Sequence, residues 1–179
     1  MTQSDFEEVA EIIGDDSKYY HFIDRIKKDF DDSKHKGIPV AMHAYFVSGA
    51  CNSSAVVKEG EESIGFCILS LSPLKMRQWE KTFKEEGWVT PNFHVDISSF
   101  ELMYLYIKPE FRRKGKAMEL FNKVIRRSKV LGIKSIYAYV SDTDNAALEF
   151  YRKSGAKIIY DFSEKEEGIS TAFMVWQLT

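Results

Sequence analysis

Four basic residues and one glycine stand close together at a point where a helix is predicted to begin. These residues are Arg112, Arg113, Lys114, Gly115 and Lys116. Their basic side chains are expected to add mobile positive charge. After them, apolar residues recur at helical spacing and predict one buried helix face, formed by Ala117, Leu120, Phe121, Val124, Ile125 and Leu131. The first amide groups of a helix lack partners within it, and that end carries partial positive charge. The sequence therefore predicts an anion-binding turn between a strand and a helix.

The spacing around this turn excludes the two commonest nucleotide motifs. A phosphate-binding G-x-x-x-x-G-K-[ST] loop would need glycine at Glu110 and serine or threonine at Ala117. A G-x-G-x-x-G run is also missing. A nucleic-acid contact is a further alternative, but aromatic residues do not interleave with the cations, and no helix-turn-helix or zinc pattern is present. A basic turn without a ligand is the remaining alternative.

A second set of residues follows one predicted strand later, in the stretch "DNAALEFYRKSGA". Its asparagine, small residue, aromatic pair and glycine are Asn145, Ala147, Phe150, Tyr151 and Gly155. Together with the pattern R-x-x-G-x-A that Arg112, Gly115 and Ala117 spell, this stretch resembles the GNAT superfamily of N-acetyltransferases. The resemblance covers residues 100–155 and is weaker outside them.

The resemblance implies an acetyl-CoA-dependent N-acetyltransferase. Such an enzyme transfers the acetyl group to a primary amine by direct attack in a ternary complex, without a metal. The acceptor would be a small molecule or a peptide. An acyl-CoA-binding sensor without turnover and a nucleic-acid-binding module are the alternatives. Self-association is common in the family, which leaves a homodimer open, although no residue here supports one.

By the same resemblance, backbone amides of residues 113–118 would bind the pyrophosphate of the cofactor, and residues 105–107 would lie beside its pantetheine arm. Basic residues further along the helix (Lys123, Arg126, Arg127 and Lys129) would neutralise its 3′-phosphate. Asn145 is the expected contact of the second motif, with Asp144 as the alternative. The predicted cofactor-binding residues are Leu105, Tyr106, Ile107, Arg112, Arg113, Lys114, Gly115, Lys116, Ala117, Met118, Asn145 and Tyr151.

Acetylation of an amine requires its neutral form, whereas a lysine-like amine has a pKa of about 10.4 and is mostly charged at neutral pH. Histone-acetyltransferase members of the family carry their base at the offset from Arg112 that Glu101 occupies, so the resemblance implies Glu101 as the general base. Strand alternation would place it on one face with Met103, Leu105 and Ile107. The resemblance also implies Tyr151 as the general acid and the backbone N–H of Tyr106 or Ile107 as the donor that stabilises the oxyanion. A strand-end glutamate and a packing tyrosine are the structural alternatives.

The elements that must position these residues alternate between strands and helices. Two helices, the second over residues 16–30, precede a meander of strands, which includes a strand near residues 40–48 and a hairpin that turns near Gly60. A strand ending before Pro109, the helix after Gly115, a further strand, a helix ending at Gly155 and a closing hairpin follow. This order predicts a GNAT-type α/β fold, with a central mixed, mostly antiparallel sheet and helices on both faces.

Composition agrees with one domain spanning residues 1–179, of which 44% are hydrophobic and 29% charged. No apolar run approaches the roughly 20 residues of a membrane span, and the acidic start does not resemble a secretory signal. The two cysteines, Cys51 and Cys67, indicate reduced thiols in a cytoplasmic protein. The scattered histidines give no metal-ligand spacing.

Charge is unevenly distributed along the chain. Residues 1–97 contain 17 acidic and 11 basic residues, a net charge of −6, whereas residues 98–179 contain 10 acidic and 14 basic residues, a net charge of +4. An acidic first half would favour a cationic amine as acceptor. The segment 73–100, which carries a short helix, is expected to shape the acceptor pocket, with a surface or dimer contact as the alternative.

Overall fold

The computed structural model describes residues 3–14, 23–24, 27, 53–71, 73–142, 146–162 and 170–178. In these ranges the helices are α1 (Gln3–Ile13), α2 (Pro73–Glu85), α3 (Lys116–Val130) and α4 (Ala146–Lys153). The strands are β1 (Ser53–Glu59), β2 (Glu62–Ser70), β3 (Ser99–Ile107), β4 (Ser135–Asp142), β5 (Lys157–Asp161) and β6 (Ser170–Gln177).

The described strands form one sheet in the order β1-β2-β3-β4-β6-β5. The central pair β3–β4 is parallel and every other pair is antiparallel. The hairpin predicted to turn near Gly60 joins β1 to β2, and Gly60 has a φ of +59° there. The prediction of a mixed, mostly antiparallel sheet is therefore confirmed.

Helices cover both faces of this sheet. On one face α3 and α4 bury Leu120, Phe121 and Leu148 against Met174 and Trp176. On the opposite face α1 contributes Val9, Ile12 and Ile13, which pack on Phe66 and Ile68, and α2 contributes Met76 and Phe83 beside Phe173. Neighbouring residues of β2 and β6 thus serve opposite cores, as strand alternation requires.

The two central strands separate after a short stretch of pairing. Only residues 99–101 of β3 pair with residues 135–137 of β4. Beyond Glu101 and Tyr137, β3 continues alongside β2 and β4 alongside β6. Beyond residue 101, the edge of β3 that faces β4 therefore has no strand partner in the described sheet. A wedge-shaped gap opens between the two strands.

An irregularity in β3 corrects the predicted face of Glu101. Ile68 pairs with Tyr104 but Leu69 pairs with Leu102, so Met103 is an extra residue. Phe100 and Leu102 consequently share the α3-side core with Leu105 and Ile107, whereas Tyr104 and Tyr106 face α1. Glu101 alternates with Phe100 and Leu102, so the expectation that it shares a face with Leu105 and Ile107 is wrong.

The segment 73–100 is part of the core rather than a peripheral cover. Val95, in the return from α2 to β3, is buried with Met76, Phe83 and Tyr137. Glu80 of α2 fixes this return, because its carboxylate accepts hydrogen bonds from Lys84 Nζ at 2.7 Å and from the backbone N–H of Val95 at 2.9 Å. His94 Nδ1 lies 2.9 Å from the same carboxylate. These contacts, the Lys84 bond foremost, lower the pKa of Glu80 to about 2.

Several expectations concern residues that the structure describes only in part. Residues 23, 24 and 27 are helical, in agreement with the predicted second helix, whose other residues lie outside the description, as do the strand predicted near residues 40–48 and Cys51. Cys67 is fully buried in the core, and burial raises the pKa of its thiol. Of the helices described, none is sufficiently long and apolar to cross a membrane.

Candidate functional site

A cleft of about 400 Å³ lies where the end of β3, the start of α3 and the helix α4 meet. It is lined by the predicted cofactor-binding residues except Lys114 and Asn145, and Asn145 lies outside the described residues. Five residues of α4 that the sequence did not single out for cofactor binding also line it: Ala146, Ala147, Glu149, Phe150 and Lys153. The fold thus brings two distant sequence motifs to one cavity.

The turn before α3 has an unusual backbone. Arg113 has a φ of +62° and Gly115 a φ of +78°, so two of three successive residues are left-handed. This conformation is uncommon for a residue with a side chain and marks functional sites more often than other positions. The first bond of α3 runs from the N–H of Glu119 to the carbonyl of Gly115 at 3.0 Å. The amides of residues 116–118 therefore precede the helical hydrogen-bond ladder at the mouth of the cleft.

Gly115 is required by its backbone conformation rather than by crowding. A Cβ at this position would meet no protein atom within 4 Å, but the positive φ would strain any L side chain. The residue also lines the cleft. Its positive φ therefore favours glycine at this point of the turn.

Three of the four basic residues of the turn have contacts, which corrects the expectation of mobile charges; one of them is Lys114, whose Nζ lies over the Phe111 ring at 5.5 Å. Arg112 Nε donates a hydrogen bond to the carbonyl of Ile107 at 2.8 Å, and its guanidinium lies over the Tyr106 ring at 5.4 Å. Lys116 forms ion pairs with Glu59 of β1 and with Glu119. The Glu59 contact raises the pKa of Lys116. Arg113 and Lys114 are exposed.

Backbone direction decides which amides of β3 face the cleft. The N–H of Lys108 donates to the carbonyl of Ile64 at 2.9 Å, so the backbone groups of Lys108 point towards β2. Alternate residues of a strand direct their backbone groups to opposite edges. The backbone N–H and C=O of Tyr106 therefore point towards β2. Those of Leu105 and Ile107 point to the opposite edge of β3, from which β4 has separated. Of the two predicted oxyanion donors, this alternation favours Ile107.

Tyr151 is placed in the cleft by the packing of α4 on the sheet. Its ring lies edge-on to Trp176 with the ring centroids 5.1 Å apart, and the residue is buried. Ser154 secures the end of the helix, because its Oγ donates to the carbonyl of Tyr151 at 2.9 Å and accepts from Trp176 Nε1 at 3.1 Å. The tyrosine thus has both the fixed position that a general acid needs and the packing role of its structural alternative.

Glu101 lies apart from the residues that line the cleft, on the face that α2 covers. Its side chain is 9% exposed, and Lys75 Nζ of α2 lies 2.7 Å from each carboxylate oxygen. The sequence did not single out Lys75, since nothing in the helical pattern of α2 distinguishes it from the other lysines there. Glu101 is paired with Tyr137 in the last register position before β3 and β4 separate.

The basic face of α3 points away from the cleft. Lys123 Nζ donates to the carbonyl of Val56 in β1 at 3.2 Å, and Lys123 and Arg127 line a different cavity of about 180 Å³ beside that strand. None of the four residues predicted to neutralise the 3′-phosphate lines the larger cleft. Lys153 of α4, which does line it, forms a 3.6 Å ion pair with Glu149.

Solved structures share this architecture over 70–99% of the chain. A protein from Desulfovibrio desulfuricans assigned to the GNAT family has a TM-score of 0.63 and 12% identity, with 99% of this chain and 95% of that chain covered. The PaiA N-acetyltransferase of Thermoplasma acidophilum, in complex with coenzyme A, has a TM-score of 0.55 and 18% identity, with 99% and 95% covered. The YncA protein of Salmonella typhimurium, with its cofactor acetyl-CoA, has a TM-score of 0.50 and 15% identity, with 70% and 64% covered.

At these identities the structural likeness concerns the fold. No curated protein matches the chain by sequence. The model of the acetyltransferase (GNAT) family matches residues 17–156, which is more than half of the chain and includes both motifs of the cleft. The chain therefore belongs to the GNAT family of acetyltransferases.

Proposed function

We propose that the protein transfers an acetyl group from acetyl-CoA to a primary amine. The observation that carries this proposal is that three features line one cleft. They are the left-handed turn at Gly115, the edge of β3 at Ile107, where β4 has separated, and the buried Tyr151. An anion-binding turn, a strand edge that has left its neighbour in the described sheet and a phenol suit three successive parts of an acetyl-CoA molecule: the diphosphate, the pantetheine arm and the thioester.

The cofactor would bind mainly through the backbone. The amides of residues 113–118 would donate to the diphosphate, because the helix start offers both N–H groups and partial positive charge. The backbone N–H and C=O of Leu105 would pair with pantetheine in the manner of an added strand. Two structural neighbours, PaiA and YncA, are complexes with coenzyme A and acetyl-CoA respectively, which supports this ligand class.

The reaction would be a direct acyl transfer. The amine nitrogen attacks the thioester carbonyl, a C–N bond forms, and the oxyanion accepts a hydrogen bond from the N–H of Ile107. The C–S bond then breaks and Tyr151 protonates the departing thiolate. The proton lost by the amine passes to Glu101, through water, on the opposite face of the split between β3 and β4.

We propose a cationic amine as the acceptor. α1 carries Asp5, Glu7, Glu8 and Glu11 without a basic residue, and it packs on the sheet face towards which Glu101 points. A negative rim on this face would raise the local concentration of a cationic substrate. Such acceptors include polyamines, aminosugars, lysine side chains and peptide N-termini. We place the reaction in the cytoplasm, where Cys67 would remain a thiol.

Detection of free thiol with a panel of amines tests the proposal. We expect acetyl-CoA to be consumed with at least one cationic amine, in a reaction that follows the concentration of the neutral amine. A preference for acceptors rich in carboxylates would overturn the charge argument. Tight binding of acetyl-CoA without thiol release on any amine would instead favour the acyl-CoA sensor.

A further inference from the structure

We infer that Lys75 is a positioning residue for the proposed reaction: it holds Glu101 ionised and oriented at the point where β3 and β4 separate. This inference rests on the proposed function, in which Glu101 accepts the proton of the amine. It adds a role for α2, the helix that connects β2 to β3 in the sequence.

The contact between the two side chains is close and shielded. Lys75 Nζ lies 2.7 Å from both oxygens of the Glu101 carboxylate, and the two side chains are 18% and 9% exposed. A carboxylate removed from water in this way is strongly disfavoured unless a cation accompanies it. Lys75 places a cation against this carboxylate, and its contact favours the charged form of Glu101.

The position of Lys75 is itself fixed by packing. Its ammonium lies over the indole of Trp79 at 5.1 Å, one helical turn further along α2. The adjacent Met76 is fully buried against the sheet. Since the helix cannot rotate without exposing this core, the ammonium approaches Glu101 from one direction only.

The location of the pair links it to the reaction. Glu101 and Tyr137 form the last register pair before the sheet splits, and the cleft residues 105–107 lie further along the same strand β3. A base at the root of the split can reach a substrate between the strands only if its carboxylate is turned towards the opening. A cation that contacts both oxygens restricts that orientation, which distinguishes Lys75 from a distant surface charge.

Kinetics of four variants test the inference: Lys75→Met, Lys75→Arg, Glu101→Gln and the double variant Lys75→Met/Glu101→Gln. We expect Lys75→Met to lower kcat by about tenfold or more, with the KM for acetyl-CoA unchanged within about twofold. Lys75→Arg should restore most of kcat, because it returns the cation. In the Glu101→Gln background, Lys75→Met should cause no further loss. Lys81→Met, an exposed position of α2 paired with Glu85 at 3.7 Å, is the matched control.

The outcomes separate this inference from the proposed function. A wild-type kcat in Lys75→Met, or equal losses in both backgrounds, would overturn the positioning role while leaving the acetyltransferase intact. A wild-type kcat in Glu101→Gln would reject Glu101 as base and the role of Lys75 with it. If Lys75→Met does not fold, Lys75→Gln replaces it in the same cycle. Thermal unfolding of each variant checks that any loss of kcat occurs in folded protein.

Discussion

The guanidinium of Arg112 joins the turn before α3 to the last residue of β3. Its Nε donates to the carbonyl of Ile107 at 2.8 Å, and the group stacks over the neighbouring Tyr106 ring at 5.4 Å. The turn and the strand end form two walls of the same cleft. One side chain therefore sets the spacing between the proposed diphosphate site and the proposed pantetheine site.

Replacement of Arg112 by alanine should weaken acetyl-CoA binding through geometry. We expect the dissociation constant to rise about tenfold and the free energy of unfolding to fall by about 2 kcal/mol, as for a lost hydrogen bond to a charged donor. Arg112→Lys should not restore either quantity, because an ammonium cannot both stack on the ring and reach the carbonyl. Calorimetry and chemical denaturation measure the two effects.

Arg126 provides the control for this experiment. It is an exposed residue of α3 that does not line the cleft. Arg126→Ala removes the same charge and should leave acetyl-CoA affinity within about twofold of wild type. Equal losses in Arg112→Ala and Arg126→Ala would show that overall charge, and not the link to Ile107, determines affinity.

Replacement of Tyr151 by phenylalanine should lower kcat by about a hundredfold with little change in the KM for acetyl-CoA. The ring would keep its edge-on contact with Trp176, at a centroid distance of 5.1 Å in the structure, so the fold should be retained. Steady-state kinetics with the preferred amine measure the effect. Tyr160→Phe, in β5 and outside the cleft, is the control; unchanged turnover in Tyr151→Phe would leave this tyrosine with packing alone.

A substitution at Gly65 should disturb the strand end that the cleft uses. A Cβ there would lie 2.7 Å from the carbonyl oxygen of Tyr106 and would overlap the Ile107 side chain. We expect Gly65→Ala to destabilise the fold by about 1–3 kcal/mol and to weaken acetyl-CoA binding, because β3 must move. Gly60→Ala, strained by its φ of +59° but free of clashes, should cost about 1 kcal/mol and leave binding unchanged. Identical effects of the two variants would contradict this prediction.

Stability should depend on Glu80 in a pH-dependent manner. The pKa of Glu80 falls from 4.5 to about 2 in the folded chain, so its stabilising effect is fully present above pH 4.5 and is lost as pH falls towards 2. Glu80→Gln should therefore lower the urea midpoint at pH 7, and the difference from wild type should shrink below pH 4. Glu85→Gln, at an exposed position of the same helix, should show little difference at any pH. A constant difference for Glu80→Gln would contradict the assignment.

The sequence predicts the order of elements and the contents of the cleft because both depend on local patterns. Gly115 and Tyr151 belong to short motifs on elements with clear periodicity, and the fold brings those elements together. The face of Glu101 could not be predicted, because the extra residue at Met103 reverses the alternation of β3 and leaves no mark in composition. Its partner Lys75 is 26 residues away and meets it only through the docking of α2.

The element that the basic side chains of α3 face could not be predicted from the sequence either. Helical spacing shows that Lys123 and Arg127 share a face, but not which neighbour that face meets. In the structure the neighbour is β1, whose register against β2 is set by many contacts distant in the chain. Likewise, Leu131 was expected on the buried face and is 57% exposed, since the helix ends there and Ile133 is buried instead.

Titration calorimetry with acetyl-CoA tests the central claim, that the amides around Gly115 bind the diphosphate of the cofactor. The account predicts saturable binding by wild-type protein and an affinity at least about tenfold lower for Gly115→Val, which strains the left-handed backbone of the turn. Folded Gly115→Val with wild-type affinity, or no detectable binding by the wild-type protein, would contradict it.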